Sequence, residues 1–290
     1  MSRESRPSRP PVAILCGGRG TRLREHVPEI PKPLVEIGGW PIVWHVVQLY
    51  ASQGFTRFVL ATGYRGELIE EFVECHTWPR GVEVRCLDTG LDTPTGGRIK
   101  QAGERLAVER FCATYADGLA SVDLTRLLAF HEAHGALATM TVVRPELQFG
   151  VTDLDRDGRV LGFREKPRSE HWINGGFFCF ERGVLDYLGD DSVLERAPLE
   201  ALAGEGQLQA YRHEGFWECM DTYKDAVALN DLWASGQPPW RNGPTEGGQG
   251  NGEDGRRGNG EEGLPKPLGD GAQEASESPR RISTGWSSSA

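Results

Sequence analysis

Residues 11–20 read PVAILCGGRG, an apolar run that ends in three glycines and an arginine. The run is too short for a helix and carries branched side chains, so it predicts a strand covered on both faces. Gly17, Gly18 and Gly20 then turn the chain off the end of that strand. In open α/β sheets, ligands sit beyond the carboxyl ends of strands. A loop with few Cβ atoms there lets backbone N–H groups approach an oxyanion closely. The continuation, TRLREHVPEIPKPLVEIGG (21–39), adds Thr21, Arg22 and Lys32, with Lys32 clipped between Pro31 and Pro33. Two cations beside one glycine loop suit a polyphosphate better than a bare corner. The spacing fits neither GxxxxGK[ST] nor GxGxxG, which sets aside a P-loop and a nicotinamide dehydrogenase.

Outward from this loop, short apolar runs alternate with amphipathic ones. Strands are expected at 57–63, 82–88, 110–117 and 136–145, and helices at 42–54, 67–76, 98–107 and 123–135. Strands separated by helices need crossover connections. That predicts a Rossmann-like α/β fold, an open and mainly parallel sheet with helices on both faces. Beyond residue 150 the texture changes. VTDLDRDGRVLGFREK (151–166) holds two extended runs joined at Asp157-Gly158, a hairpin signal. INGGFFCFE (173–181) reads as one more strand, and a helix is expected after a cap at Asp221 or Thr222.

Composition bounds the function. The chain has 290 residues, 38% of them hydrophobic and 26% charged, enough for one large core. A formal net charge of −10 argues against a general nucleic-acid binder, while a small anion needs only a local cluster of Lys and Arg. Cysteines 16, 75, 86, 112, 179 and 219 show no Cys-x-x-Cys or Cys/His metal spacing, which predicts free thiols in a reducing compartment. HEAH (131–134) spaces its histidines by three, not by the four of a zinc-binding helix. With no secretory h-region and no apolar run of ~20 residues, no membrane association is expected and a cytoplasmic setting is. Residues 1–10 read as a frayed tail. Residues 236–290 hold 13 Gly and 6 Pro, with only Leu264, Leu268 and Ile282 from the large aliphatic set. Such a segment is expected to be disordered, leaving 11–235 as the folded domain.

The motifs now converge on a family. GGRGTRL (17–23) followed by PKPLVEIGGWPI (31–42) resembles the signature of the sugar-nucleotide pyrophosphorylases, the nucleotidyltransferases that join a sugar 1-phosphate to a nucleoside triphosphate. TYADG (114–118), FREKP (163–167), INGGFF (173–178) and FWECMDT (216–222) follow in the family's order. DTGLDTPTGGRIK (88–100) and EIGGWPIVWH (36–45) resemble the glucose-1-phosphate cytidylyltransferase branch most. Cys16 and Ala116 depart from the usual Ala and Gly, although both stay small. The segment from Gly66 to Asp88 is shorter than in that branch, where a longer insertion takes part in subunit contacts. A particular oligomer therefore does not carry over, and a homo-oligomer is left open.

The resemblance implies roles. Arg22 would bind the triphosphate and Lys32 the α-phosphate or the attacking phosphate. Asp117 and Asp221 would hold Mg2+, although alone Asp117 reads equally as a turn residue before Gly118 and Asp221 as a helix cap. Lys166 would grip the sugar phosphate, Glu165 the sugar hydroxyls, and Asn174 and Gly175 would line the sugar pocket. Thr93 and Arg98 flank a segment that binds nucleotide in the related cytidylyltransferases, with the backbone of Leu15, Cys16 and Ala116 beside it. The implied reaction joins CTP to glucose 1-phosphate. Uridylyl, thymidylyl or guanylyl transfer to another sugar phosphate is the neighbouring reading. A silent nucleotide-sugar sensor would be expected to lack one of Arg22, Lys32, Asp117, Lys166 or Asp221, and all five are present.

Overall fold

The computed structural model describes residues 9–20 and 30–241. Thr21, Arg22 and the expected tails over 1–8 and 242–290 lie outside the described residues. The first half of the chain runs β1 (Val12–Leu15), β2 (Glu36–Ile37), β3 (Trp40–Pro41), α1 (Ile42–Ala51), β4 (Arg57–Thr62), α2 (Gly66–Cys75) and β5 (Glu83–Asp88). It continues with α3 (Thr95–Leu106), β6 (Arg110–Tyr115), β7 (Gly118–Ala120), α4 (Leu124–His134) and β8 (Ala138–Val143). The second half is β9 (Val151–Leu154), β10 (Val160–Arg164), β11 (Ile173–Glu181), α5 (Ala197–Gly204), β12 (Leu208–Arg212), β13 (Trp217–Cys219) and α6 (Tyr223–Ala234).

Seven strands form the central sheet in the order β12-β8-β11-β6-β1-β4-β5. The block β6-β1-β4-β5 is parallel, β11 runs antiparallel between β6 and β8, and β12 lies parallel to β8 at the edge. The opening strand sits inside this sheet, which is why its sequence is apolar without interruption. Val12 and Ile14 enter the core under α1, α2, α4 and α6, whereas Ala13 enters the opposite core with α3 and α5. Helices on both faces are therefore observed as expected.

Three expectations need correction. Helix α3 starts at Thr95, three residues early, because Gly96 and Gly97 form its first turn. A Cβ on Gly96 would lie 2.6 Å from the Ser192 carbonyl oxygen, and one on Gly97 would strike that of Asp190. The domain also extends past residue 235. Trp240 is only 4% exposed and donates from Nε1 to His45 Nδ1 at 3.4 Å, so the Gly/Pro-rich segment is anchored as far as Arg241. At the other end, Arg9 donates to Thr125 Oγ1 at 2.7 Å and lies over the Phe55 ring, which brings the last residues of the expected N-terminal tail onto the domain. Between Gly66 and Asp88 the chain makes only α2, a loop and β5.

Candidate active site

A cavity of about 910 Å3 opens beyond the carboxyl ends of β1 and β6. Leu15, Cys16, Gly17, Gly18, Gly20, Lys32, Thr93, Arg98, Ala116, Asp117 and Asp221 all line it. Every described residue expected on the nucleotide side is thus gathered at one place, from segments more than two hundred residues apart. Gly20 has φ +57°, a backbone state that L side chains rarely adopt, which accounts for glycine there.

Its charged centre is Lys32 between two carboxylates. Pro31 leads the chain into a 3-10 turn over Lys32–Leu34, with Pro33 buried, so the lysine stem is fixed at its base. Lys32 Nζ pairs with Asp117 Oδ2 and donates to Asp221 Oδ1 at 2.7 Å. The two aspartates meet because β7 and β13 form a short antiparallel ladder, with Cys219 opposite Gly118. Met220 N closes it on Asp117 O at 2.9 Å. Helix α6 is capped by Thr222, whose hydroxyl accepts from Asp225 N while Asp225 accepts from Thr222 N. The cap is thus Thr222, and the Asp221 carboxylate points instead to Lys32. Burial alone would lower the Lys32 pKa, but the charge and hydrogen bonds of Asp117 and Asp221 outweigh it and raise it.

The donor set fits a hard divalent cation. Two carboxylates on partly exposed side chains offer oxygens at an open site, as magnesium prefers. Cys219 Sγ and one oxygen of each aspartate all lie within 4.8 Å of one another. Burial first, then the Asp117 charge, push the Cys219 thiol up, and a soft sulfur is no magnesium donor.

Arg98 lines the cavity and also braces its wall. It is 4% exposed, and its guanidinium donates to Thr62 O at 2.6 Å, Gly17 O at 3.1 Å and Leu91 O at 3.3 Å, as well as to the Thr89 hydroxyl. These bonds tie the glycine loop to the ends of β4 and β5, and the same side chain lines the cavity. Thr93 likewise turns its hydroxyl inward, to Thr89 O.

The expected sugar-side residues are not gathered in the cavity. Glu165 and Lys166 are exposed just after the β9–β10 hairpin, which is not hydrogen-bonded into the main sheet. Lys166 has φ +44°, an uncommon state for a residue with a side chain. Asn174 and Gly175 lie in an irregular stretch of β11, where the register against β8 shifts. Asn174 reaches the cavity wall indirectly, donating from Nδ2 to the Tyr115 hydroxyl at 3.0 Å. Trp217 Nε1 donates to Gly175 O at 2.8 Å. Tyr115 in turn donates to Glu195, whose other oxygen accepts from Thr95 Oγ1 at 2.6 Å. Sequence reasoning missed Tyr115 and Glu195 as cavity residues. Tyr115 was within reach, because it sits inside the TYADG motif. His131 and His134 both bond the Thr139 hydroxyl, at 2.8 and 2.7 Å, which gives HEAH a structural role.

A Rossmann-like sheet, a glycine loop and a lysine shared by two aspartates define a class that handles nucleotides. The chain belongs to the nucleotidyl transferase family, whose model matches residues 12–222. It is 41% identical over 251 residues to the probable glucose-1-phosphate cytidylyltransferase of Bacillus subtilis (strain 168), covering 79% of this chain and 98% of that protein. It is 40% identical over 253 residues to the glucose-1-phosphate cytidylyltransferase of Salmonella typhimurium, again covering 79% and 98%. Among solved structures, HddC from Yersinia pseudotuberculosis superposes with a TM-score of 0.62 at 23% identity, over 78% of this chain and 100% of that one, a likeness of fold. Among the described residues, no helix is long and apolar enough to cross a membrane.

Proposed function

We propose that this chain transfers the cytidylyl group of CTP to glucose 1-phosphate and releases pyrophosphate, giving CDP-glucose. The observation that carries the reaction type is the meeting of Asp117 and Asp221 on Lys32 beside the glycine loop. Choice of base and sugar rests on the 41% and 40% identities to glucose-1-phosphate cytidylyltransferases over nearly their whole length.

A phosphate oxygen of glucose 1-phosphate attacks the α-phosphorus of CTP in line. The bond from that phosphorus to its bridging oxygen breaks, and the electron pair leaves with pyrophosphate. The attacking oxygen is already anionic, so no general base is needed. The work lies in positioning two anions that repel and in neutralising the leaving group. Backbone N–H groups of Gly17, Gly18 and Gly20 suit the phosphates of CTP, with Thr21 and Arg22 joining them by family resemblance. Lys32 trades carboxylate partners for a phosphate oxygen as a point charge. Asp117 and Asp221 would hold Mg2+, which when bound screens the phosphate charges. Lys166 takes the sugar phosphate, while Glu165, Asn174 and Gly175 serve the sugar. Arg98 acts through the loop it ties down, and free thiols suit a cytoplasmic setting.

The test is pyrophosphate release with Mg2+ across the common nucleoside triphosphates, each paired with glucose and mannose 1-phosphates. Turnover is expected with CTP and glucose 1-phosphate. Turnover elsewhere in the grid reassigns base or sugar, and silence throughout with nucleotide sugar still bound favours a sensor.

A further inference from the structure

Among the described residues, the carboxylates that line the cavity are Asp92, Asp117, Glu195 and Asp221. Asp117 and Asp221 meet on Lys32, and Asp92 accepts from Arg19 at 2.6 Å. Glu195 pairs with no cation among the described residues. Its two oxygens accept instead from neutral hydroxyls, one from Tyr115 and the other from Thr95 Oγ1 at 2.6 Å. Thr95 is itself held, because its hydroxyl accepts from Leu194 N at 2.9 Å. Tyr115 is seated as well. Its hydroxyl accepts from Asn174 Nδ2, and Gly176, at φ +82°, leaves room where a Cβ would lie 2.5 Å from the ring. Burial first, then the Glu195 charge, raise the Tyr115 pKa, so the hydroxyl keeps the proton it donates.

A carboxylate without a cation is misplaced against a triphosphate, which it repels. It suits a neutral, hydroxyl-bearing part of a substrate, and the sheet order indicates which part. The glycine loop follows β1, whereas Tyr115 ends β6, one strand nearer to β11 and to Asn174. With the triphosphate on the glycine loop, the β6–β11 side of the cavity is left for the sugar. We propose that Glu195 is a specificity-determining residue for that sugar: its carboxylate, held by Tyr115 and Thr95, accepts hydrogen bonds from the ring hydroxyls of the sugar phosphate. The assignment rests on the nucleotidyl-transfer reading of the cavity. A carboxylate offers about four lone-pair positions, of which Tyr115 and Thr95 fill two. The free ones only accept, and the Tyr115 proton is already spent on Glu195. This wall therefore takes hydroxyls that donate and rejects a sugar that carries its own carboxylate, such as glucuronate 1-phosphate. No bond is made or broken at Glu195, which selects and does not catalyse.

Steady-state kinetics of the full-length protein and its Glu195→Gln variant test this, with CTP and glucose 1-phosphate varied separately in Mg2+. The variant keeps the shape of the side chain and removes its charge. KM for glucose 1-phosphate is expected to rise about 10-fold, with kcat and KM for CTP within about twofold of the parent. The preference in kcat/KM for glucose over glucuronate 1-phosphate should fall about 10-fold in Glu195→Gln and persist in Glu195→Asp, which restores the charge. Glu205→Gln should change none of these constants, since Glu205 accepts from Tyr187 outside the cavity. A rise in KM for CTP instead would put the carboxylate at the nucleotide, and an unchanged sugar preference would make it structural; either overturns the proposal. Calorimetry with CDP-glucose reads the same contact without turnover, and binding to Glu195→Gln should be about 10-fold weaker. Equal binding by the two proteins would sink the assignment. A parent that makes no CDP-glucose but binds it, with that difference between the two proteins, would refute the proposed reaction and leave Glu195 in its role. A parent that neither binds nor makes it overturns both. Circular dichroism of each variant separates loss of a contact from loss of fold.

Discussion

The two sides of the candidate site are built in opposite ways. The nucleotide side is part of the central sheet: β1 and β6 end at its cavity, and a buried arginine braces its loop from beneath. The expected sugar side hangs on a two-stranded hairpin bearing Leu154, Val160, Leu161 and Phe163, all more than half exposed. An isolated hairpin is marginal in stability. Asn174 and Tyr115 form the hydrogen-bonded link from irregular β11 to the cavity wall. The contrast teaches that one half is preorganised by burial in the central sheet, while the other carries its residues on an exposed hairpin outside it.

The largest expected effect is chemical. Asp117→Asn should lower kcat by roughly 10^3-fold, about 4 kcal/mol of transition-state stabilisation, with an unchanged circular dichroism spectrum. Near-parent turnover would remove the aspartate from the reaction. Arg98→Met probes the bracing. It strips three backbone carbonyls of a buried donor and should cost about 3 kcal/mol in urea unfolding. A cost below ~0.5 kcal/mol would mean the loop stands without its brace.

Acid should loosen the same half. Burial foremost, tempered by the Ile37 carbonyl that accepts from Nε2, lowers the His45 pKa to about 4, against an ordinary 6.5. The folded state keeps this ring neutral, so its contribution is full above pH 6.5 and is lost as pH falls toward 4. By pH 5 that is about 2 kcal/mol, measurable as a fall in unfolding free energy that His45→Gln should blunt. An identical pH dependence in the variant would clear His45 of the role. The smallest effect belongs to the exposed side. Lys166→Ala should raise KM for glucose 1-phosphate about 10-fold, near the loss of one charge-assisted bond, and leave KM for CTP alone. A matched rise in both constants would erase the division between the two sides.

How far these features could be read in advance follows from what each residue advertises. The parallel block was legible because β1, β4 and β6 are largely apolar runs, β5 is a short extended run of mixed polarity, and helices lie between them. The reversed direction of β11 was not, since a buried strand reads alike either way. β12 was missed as a half-exposed edge strand of five residues, and β7 and β13 are three residues each, below any periodic signal. Asp117 and Asp221 were named through their motifs, but only the β7–β13 ladder explains how they meet. The bracing role of Arg98 was not legible, because arginine ordinarily signals surface and three of its acceptors are backbone carbonyls that no side-chain pattern encodes. Glu195 stood in a segment without a motif. Trp240 was hidden by the glycines and prolines around it.

The packing around Arg98 also constrains how this loop could change by descent. A Cβ on Gly17 would fall on its guanidinium, and one on Gly63 would come within 2.6 Å of Nη1. Each glycine therefore keeps room for the arginine, and the arginine donates in turn to the Gly17 carbonyl. Single-step drift at either glycine meets a clash, and drift at the arginine removes a donor from the Thr62, Gly17 and Leu91 carbonyls. The three positions form an epistatic set. A library that randomises them together should recover functional triplets that libraries of single changes never reach.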